Sequence, residues 1–201
     1  PPPRRSPGMH VGFVLNPIAG MGGRVGLKGT DGKVAEARER GAEPRAPARA
    51  ERALTALAER LPDAEISTWR DPMGESAVRA AGYEPTVLGG PEGEETESAD
   101  TTAAVAAFVD ASVDLVLFVG GDGTAADVAE VLDGTDTPML GVPAGVKVYS
   151  SVFAVSPEDA AHILASYERT ERREVMDIDE DDYREGEVNP ELRAVARVPV
   201  A

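Results

Sequence analysis

The sequence predicts an α/β fold: a parallel sheet covered by helices on both faces up to about residue 170, followed by the beginning of a β-rich second domain. Three observations carry this. From His10 to Glu168, short apolar runs alternate with segments of helical period, the rhythm of βαβ units. Several of those runs end in glycine-bearing turns, as strands do at the ligand-binding carboxyl edge of such a sheet. After residue 170 the helical segments give way to alternating strands. The first part is therefore read as Rossmann-like. The expected organisation is a disordered leader over 1–8, an α/β domain over 9–170 and the start of a truncated β-rich domain over 171–201.

The elements follow in order. Pro1–Gly8 (PPPRRSPG) has no apolar pattern, and Met9 looks like the natural start. His10–Leu15 (HVGFVL) is the first strand. It leaves through Asn16-Pro17-Ile18-Ala19-Gly20-Met21-Gly22-Gly23 and a glycine-rich loop continuing to Lys33. Val34–Arg40 and Ala48–Leu61 carry helix formers, interrupted near Gly41–Pro47. In the second of these, Ala53, Leu57 and Leu61, flanked by Leu54 and Ala58, make one apolar face. Ala64–Trp69 is a strand, Glu75–Ala81 a helix and Glu84–Leu88 a strand. After the acidic loop Gly89–Ala99, Asp100 is expected to cap a helix over Thr101–Ala111. Val113–Gly120 is an apolar β run, and Ala125–Leu132 is helical. Pro138–Val142 is the fifth strand. Ser156-Pro157-Glu158-Asp159 opens a helix with a capping serine, a first-turn proline and acids at the positive end. Arg172–Ile178 and Leu192–Val200 alternate as strands around a solvated acidic segment, Asp179–Glu187.

Composition narrows the function. Hydrophobic residues make up 42% and aromatic residues 4%, so the core is built mainly from Val, Leu and Ala. A net charge of −16 and a pI near 4.5 argue against nucleic acid and anionic membranes as partners. Acid-rich, lysine-poor composition fits either a high-salt cytoplasm, where self-repulsion is screened, or an ordinary acidic soluble protein of a GC-rich genome. Without cysteine there is neither disulfide nor thiolate metal site, and two histidines do not suggest zinc. No run is long enough to span a bilayer and no segment has the layout of a secretion signal, so a cytoplasmic location is expected.

The chemistry concentrates in three strand exits. Val113–Thr124 (VDLVLFVGGDGT) ends a strand in a turn that restarts as a helix, which aims backbone N–H groups at one spot suited to phosphate. Gly120, Gly121 and Gly123 allow the backbone to approach an anion, and Thr124 offers a hydroxyl. A carboxylate in such a turn repels phosphate, so Asp122 is assigned to a hydroxyl group or a metal ion, as a hydrogen-bond acceptor or general base. The first exit fits neither common fingerprint: a dinucleotide motif from Gly20 needs glycine where Val25 stands, and a Walker A loop ending at Lys28 needs it where Leu27 stands. Gly20, Gly22 and Gly23 form a glycine-rich loop of another kind. The third exit runs from Gly141 through Gly145 to Lys147. The chain's lysines are Lys28, Lys33 and Lys147, all in the first and third exits, where an ammonium can neutralise phosphate. Asp127, about a turn beyond Asp122, reads either as a magnesium neighbour or as a solvated helix position.

NPIAGMGG, FVGGDGT and GVPAGVK together resemble the ATP-NAD kinase family, especially its archaeal and acetoin-catabolism X-type branch, within the superfamily of diacylglycerol, sphingosine and 6-phosphofructokinases. The resemblance implies a nucleotide-binding kinase domain that uses ATP, NAD and Mg²⁺. It implies phosphorylation of the NAD 2′-hydroxyl, small nucleotides as ligands and a homo-oligomeric assembly. It makes Asp122 the catalytic residue, and no metal-ligating residue is assigned. It also implies nucleotide contacts at Asn16, Gly120, Gly121 and Gly123; with Gly20, Gly22, Gly23, Lys28, Thr124, Gly145 and Lys147 from the loop chemistry above, these make up the expected nucleotide-binding set. One departure stands out: the family's asparagine-bearing motif after the fifth strand is replaced by GVPAG. NPIAG also resembles the opening of lipid kinases, so a lipid or other small hydroxyl acceptor, or a non-catalytic nucleotide-binding module, are the alternatives.

Overall fold

The computed structural model describes residues 8–19, 45–178 and 190–201. The helix expected over Val34–Arg40, the acidic segment after Ile178 and nearly all of the leader lie outside them. Five parallel strands form one sheet in the order β3-β2-β1-β4-β5: β1 (His10–Leu15), β2 (Glu65–Thr68), β3 (Thr86–Val87), β4 (Leu115–Gly120) and β5 (Met139–Pro143). The two central strands are apolar on both sides, as a sheet covered on both faces requires. Five of the six residues of β1 and all six of β4 are buried. Their register pairs Val11 with Leu115 and Leu15 with Val119, so both strands end together at the point where strand order reverses.

Helices α1 (Ala46–Arg60), α2 (Glu75–Ala80), α3 (Ser98–Asp110), α4 (Asp122–Leu132) and α5 (Pro157–Ser166) join the strands. The parallel crossovers put α1, α2 and α5 on one face and α3 and α4 on the other. The inward stripe of α1 is small: Ala46, Ala50 and Ala53 sit beside Leu54 and Leu57, which lets the helix lie close to the sheet. Phe13, Phe108 and Phe118 are among the largest fully buried side chains.

The structure moves several boundaries for identifiable reasons. Helix α1 starts at Ala46, before Pro47, because a proline in the first turn lacks only an N–H that needs no helical partner. Asp100 does not stand at the N-cap. It lies one turn inside α3, where its carboxylate accepts the Glu97 N–H at 2.8 Å, so the helix begins at Ser98. Strand β3 shrinks to two residues after Pro85, which has no N–H for a ladder. The Ser156 cap is as expected: its hydroxyl accepts the Asp159 N–H at 3.0 Å and Pro157 opens α5.

After α5 the chain forms an antiparallel hairpin, β6 (Arg169–Ile178) and β7 (Pro190–Val200), with a bulge between Val175 and Met176. Val175, Ala196 and Val198 join the same hydrophobic core as the sheet. The segment between β5 and α5 links the two. Gly141 N–H donates to Val152 O and receives Ala154 N–H on its own carbonyl. Ser151 N–H donates to Glu174 O on β6, and the Ser150 hydroxyl both donates to Met176 O and accepts Met176 N–H.

Gly12 shows how tightly this core is closed. A β-carbon there would lie 2.6–2.9 Å from the ring and β-carbon of Phe108 on α3. Gly12→Ala should therefore cost roughly 1–3 kcal/mol in denaturant unfolding, and an unchanged midpoint would show that α3 can shift freely.

Candidate functional site

The ends of β1, β4 and β5 meet at the carboxyl edge of the sheet, and local backbone rules decide what each presents. Asn16 N–H extends the sheet ladder to Val119 O at 2.9 Å. The side chain of Asn16 then folds back: its Oδ1 accepts Ile18 N–H, and its Nδ2 donates to Thr124 Oγ1, both at 3.2 Å. Asn16 therefore ties the first exit to the first turn of α4. Thr124 is buried and faces this contact. A β-carbon at Gly120 would lie 2.5 Å from the β-carbon of Thr124, so the absence of a side chain at Gly120 admits Thr124 rather than a ligand.

The other two glycines of the turn differ. Gly121 stands at the N-cap of α4 in an extended conformation, where an added β-carbon would make only ordinary contact with Val146, at 3.7 Å. Gly123 is exposed in the first helical turn, with nothing within 4 Å of the position a β-carbon would take. Gly123 belongs to the first turn of α4, whose leading N–H groups have no acceptor within the helix. A phosphate fits such a place sterically and electrostatically.

Asp122 is the first residue of α4 and only 9% exposed. Its Oδ2 accepts Tyr149 N–H and its Oδ1 accepts Ser150 N–H, each at 2.9 Å. Burial of an ionised carboxylate is tolerated only with such partners, and backbone amides are strong ones. Both oxygens are thereby fixed in direction, and each keeps acceptor capacity for a further donor. Ser150 passes the constraint on to Met176, so the carboxylate also helps seat the hairpin.

The third exit is held at its other end by cations. Arg45, at the N-cap of α1, donates from Nη1 to Gly145 O at 3.1 Å, and Arg49 donates from Nη1 to Pro143 O at 3.2 Å. Gly145 has φ +100°, and a β-carbon there would strike the Arg45 side chain at 2.8 Å, so both backbone and neighbour require glycine. Lys147 is exposed, with its Nζ 5.0 Å from the centre of the Tyr149 ring. On the outer side of α1, Glu158 takes both of its short hydrogen bonds from Arg52, at 2.8 Å. The hydrogen bond from Arg52 holds the Glu158 carboxyl below the usual range, with a smaller pull from Arg49.

Of the residues expected at the site, Asn16, Gly120 and Thr124 form one cluster, and Asp122, Gly145 and Lys147 border the β5 exit. Gly121 and Gly123 line the turn between them. Gly20, Gly22, Gly23 and Lys28 lie outside the described residues. Sequence reasoning missed Arg45 and Arg49, although two basic residues four apart at the head of a helix run against its dipole and were a legible signal. It also missed Tyr149 and Ser150, whose contribution is backbone N–H and leaves no trace in residue type. Among the described residues, no group of three or more His, Asp or Glu is placed to hold a metal ion. Among them, too, no helix is long and apolar enough to cross a membrane.

The glycines of the turn should separate by thermodynamics. Gly120→Ala should lose roughly 1–3 kcal/mol through its clash with Thr124. Gly123→Ala, at an open helical position, should hold its stability or gain up to about 1 kcal/mol. Equal unfolding midpoints for the two variants would contradict this division.

A sequence profile of the ATP-NAD kinase N-terminal domain matches residues 11–172, which covers the parallel sheet from Val11 onward and helices α1 to α5. No curated protein matches the chain significantly. The matched stretch contains the turn with Asp122, the Asn16 exit and the clamped exit of β5. The chain belongs to the ATP-NAD kinase family, a family of phosphotransferases.

Proposed function

We propose that the chain is an ATP-dependent kinase that transfers the γ-phosphoryl group to the 2′-hydroxyl of NAD, giving NADP. The observation that carries this reading is Asp122: a carboxylate held by the Tyr149 and Ser150 amides at the head of α4, within the matched family domain. A phosphoryl transfer needs the attacking hydroxyl in line with the donor phosphate and little covalent help from the protein. A carboxylate whose two oxygens already face fixed N–H groups has a defined direction left for an incoming O–H. In this reading Asp122 orients the acceptor hydroxyl and receives its proton as the bond to phosphorus forms.

The open backbone above Gly121 and Gly123 would face the donor phosphates, and Lys147 would supply a mobile counter-charge. Asn16 and Thr124 support that surface through their mutual hydrogen bond. Mg²⁺ bound with the nucleotide would further neutralise the phosphate charge.

The full chain incubated with ATP, MgCl₂ and NAD should produce NADP, read by an NADP-specific dehydrogenase. Asp122→Asn should lower kcat by about 100-fold or more, and Gly123→Ala should raise the KM for ATP while keeping its fold. Failure of the wild-type chain to make any NADP under these conditions would sink the reading. One observation favours a second acceptor: the family's asparagine-bearing motif is replaced by GVPAG, whose Gly145 carbonyl is taken by Arg45. A panel of lipid and small-polyol acceptors with labelled ATP separates the two, since transfer to one of these but not to NAD would select the other acceptor.

A further inference from the structure

Arg45 and Arg49 are unusually placed. Arg45 Nη1 and Arg49 Nε lie 3.2 and 3.5 Å from the one point where a Gly145 side chain would begin, so the two side chains converge over that residue. Like charges this close repel. They also stand at the amino end of α1, whose first turn contains no acidic residue, so the helix dipole opposes them as well. Among the described residues neither forms an ion pair. The carboxylate whose field reaches Arg49 belongs to Glu158, which is already paired with Arg52 in a two-pronged contact. Among the described residues each guanidinium has one hydrogen bond to a carbonyl, from Nη1, while such a group carries five N–H donors. A polyanion relieves both the mutual repulsion and the opposition of the dipole, and it matches the planar donor fork that arginine offers.

We infer that Arg45 and Arg49 form a grip for the polyphosphate of a bound nucleotide, across the β5 exit from Asp122. The placement is specific. The same loop that carries Lys147 is held by the arginines at Pro143 and Gly145 and by Asp122 at Tyr149 and Ser150. A polyphosphate gripped at the first pair extends along the loop toward the carboxylate at the second. This deepens the proposed kinase reading and rests on it for the role of the phosphate. The shared chemistry belongs to the triphosphate of the donor and to the pyrophosphate of the dinucleotide acceptor, and kinetics with each separates them.

The test uses the full chain and inorganic tripolyphosphate, with calorimetry as a readout independent of turnover. The double variant Arg45→Gln/Arg49→Gln keeps an N–H for each carbonyl but loses the charge. Arg52→Gln, whose partner is Glu158 on α5, is the control. Tripolyphosphate should bind the wild type, and the double variant should weaken it by about tenfold or more, with Arg52→Gln unchanged. Arg45→Lys/Arg49→Lys should recover only part of the loss, and it serves in place of the glutamine pair if that variant melts early. A rise in KM for ATP assigns the grip to the donor, and a rise for NAD assigns it to the acceptor. Tripolyphosphate affinity that is absent in the wild type, or equal in all variants, overturns the inference. If the wild type binds tripolyphosphate through the arginines yet makes no NADP, the grip stands and the kinase reading falls. If NADP forms with unchanged KM values in the double variant, the reading stands and the grip falls.

Discussion

The loop after β5 is clamped at both ends by charges of opposite sign, each on the backbone group it suits. Two guanidiniums hold its first carbonyls, at Pro143 and Gly145, and a buried carboxylate holds its last amides, at Tyr149 and Ser150. The carboxylate end is the stronger constraint. The Asp122 carboxyl group at 9% exposure is costly without partners, and the two amides supply them, so the first turn of α4 and the end of the loop are placed together. Ala144 N–H adds a bond to Gly120 O at 3.1 Å, which registers the loop's start against the GGDGT turn. Through Ser150 and Met176 the same clamp reaches the hairpin. Sheet edge, helix terminus and hairpin are therefore positioned by one electrostatic arrangement.

That arrangement divides the site. On the α4 side lie a directed carboxylate and an open helix terminus. On the α1 side lie two converging arginines. The loop between them carries Lys147, the one lysine among the described residues. A kinase needs such a division, because the group that faces a hydroxyl and the groups that face phosphate carry opposite charge and would neutralise each other if brought into contact. Here a stretch of backbone keeps them apart by occupying both.

Much of the fold was legible because its signals are local. The limits of the first strand follow from the short run HVGFVL before Asn16, and the α5 cap follows from Ser156, Pro157 and Asp159 in sequence. The βαβ rhythm then implies a parallel sheet with the exits on one edge. What escaped local reading was of another kind. Asp100 lies inside its helix because Glu97 offers an N–H to it, a choice between two acids three residues apart that pattern does not make. Pro47 looks like an interruption, yet the first turn accepts it. Within the site, the GGDGT turn was visible as a strand-to-helix turn with an acid at its centre, but the partners of that acid lie 27 and 28 residues further on and act through backbone amides. Gly120 shows the same limit: sequence suggests room for a phosphate, whereas the room is filled by Thr124 four residues later.

The most direct test of this account is amide hydrogen exchange at Tyr149 and Ser150, followed by NMR in the wild type and in Asp122→Ala. The account predicts that both amides are strongly protected in the wild type. It also predicts that they lose protection selectively in the variant, while the amides of β1 and β4 keep theirs. Equal protection of the two amides with and without the carboxylate would contradict it, because the loop would then be held by something other than Asp122.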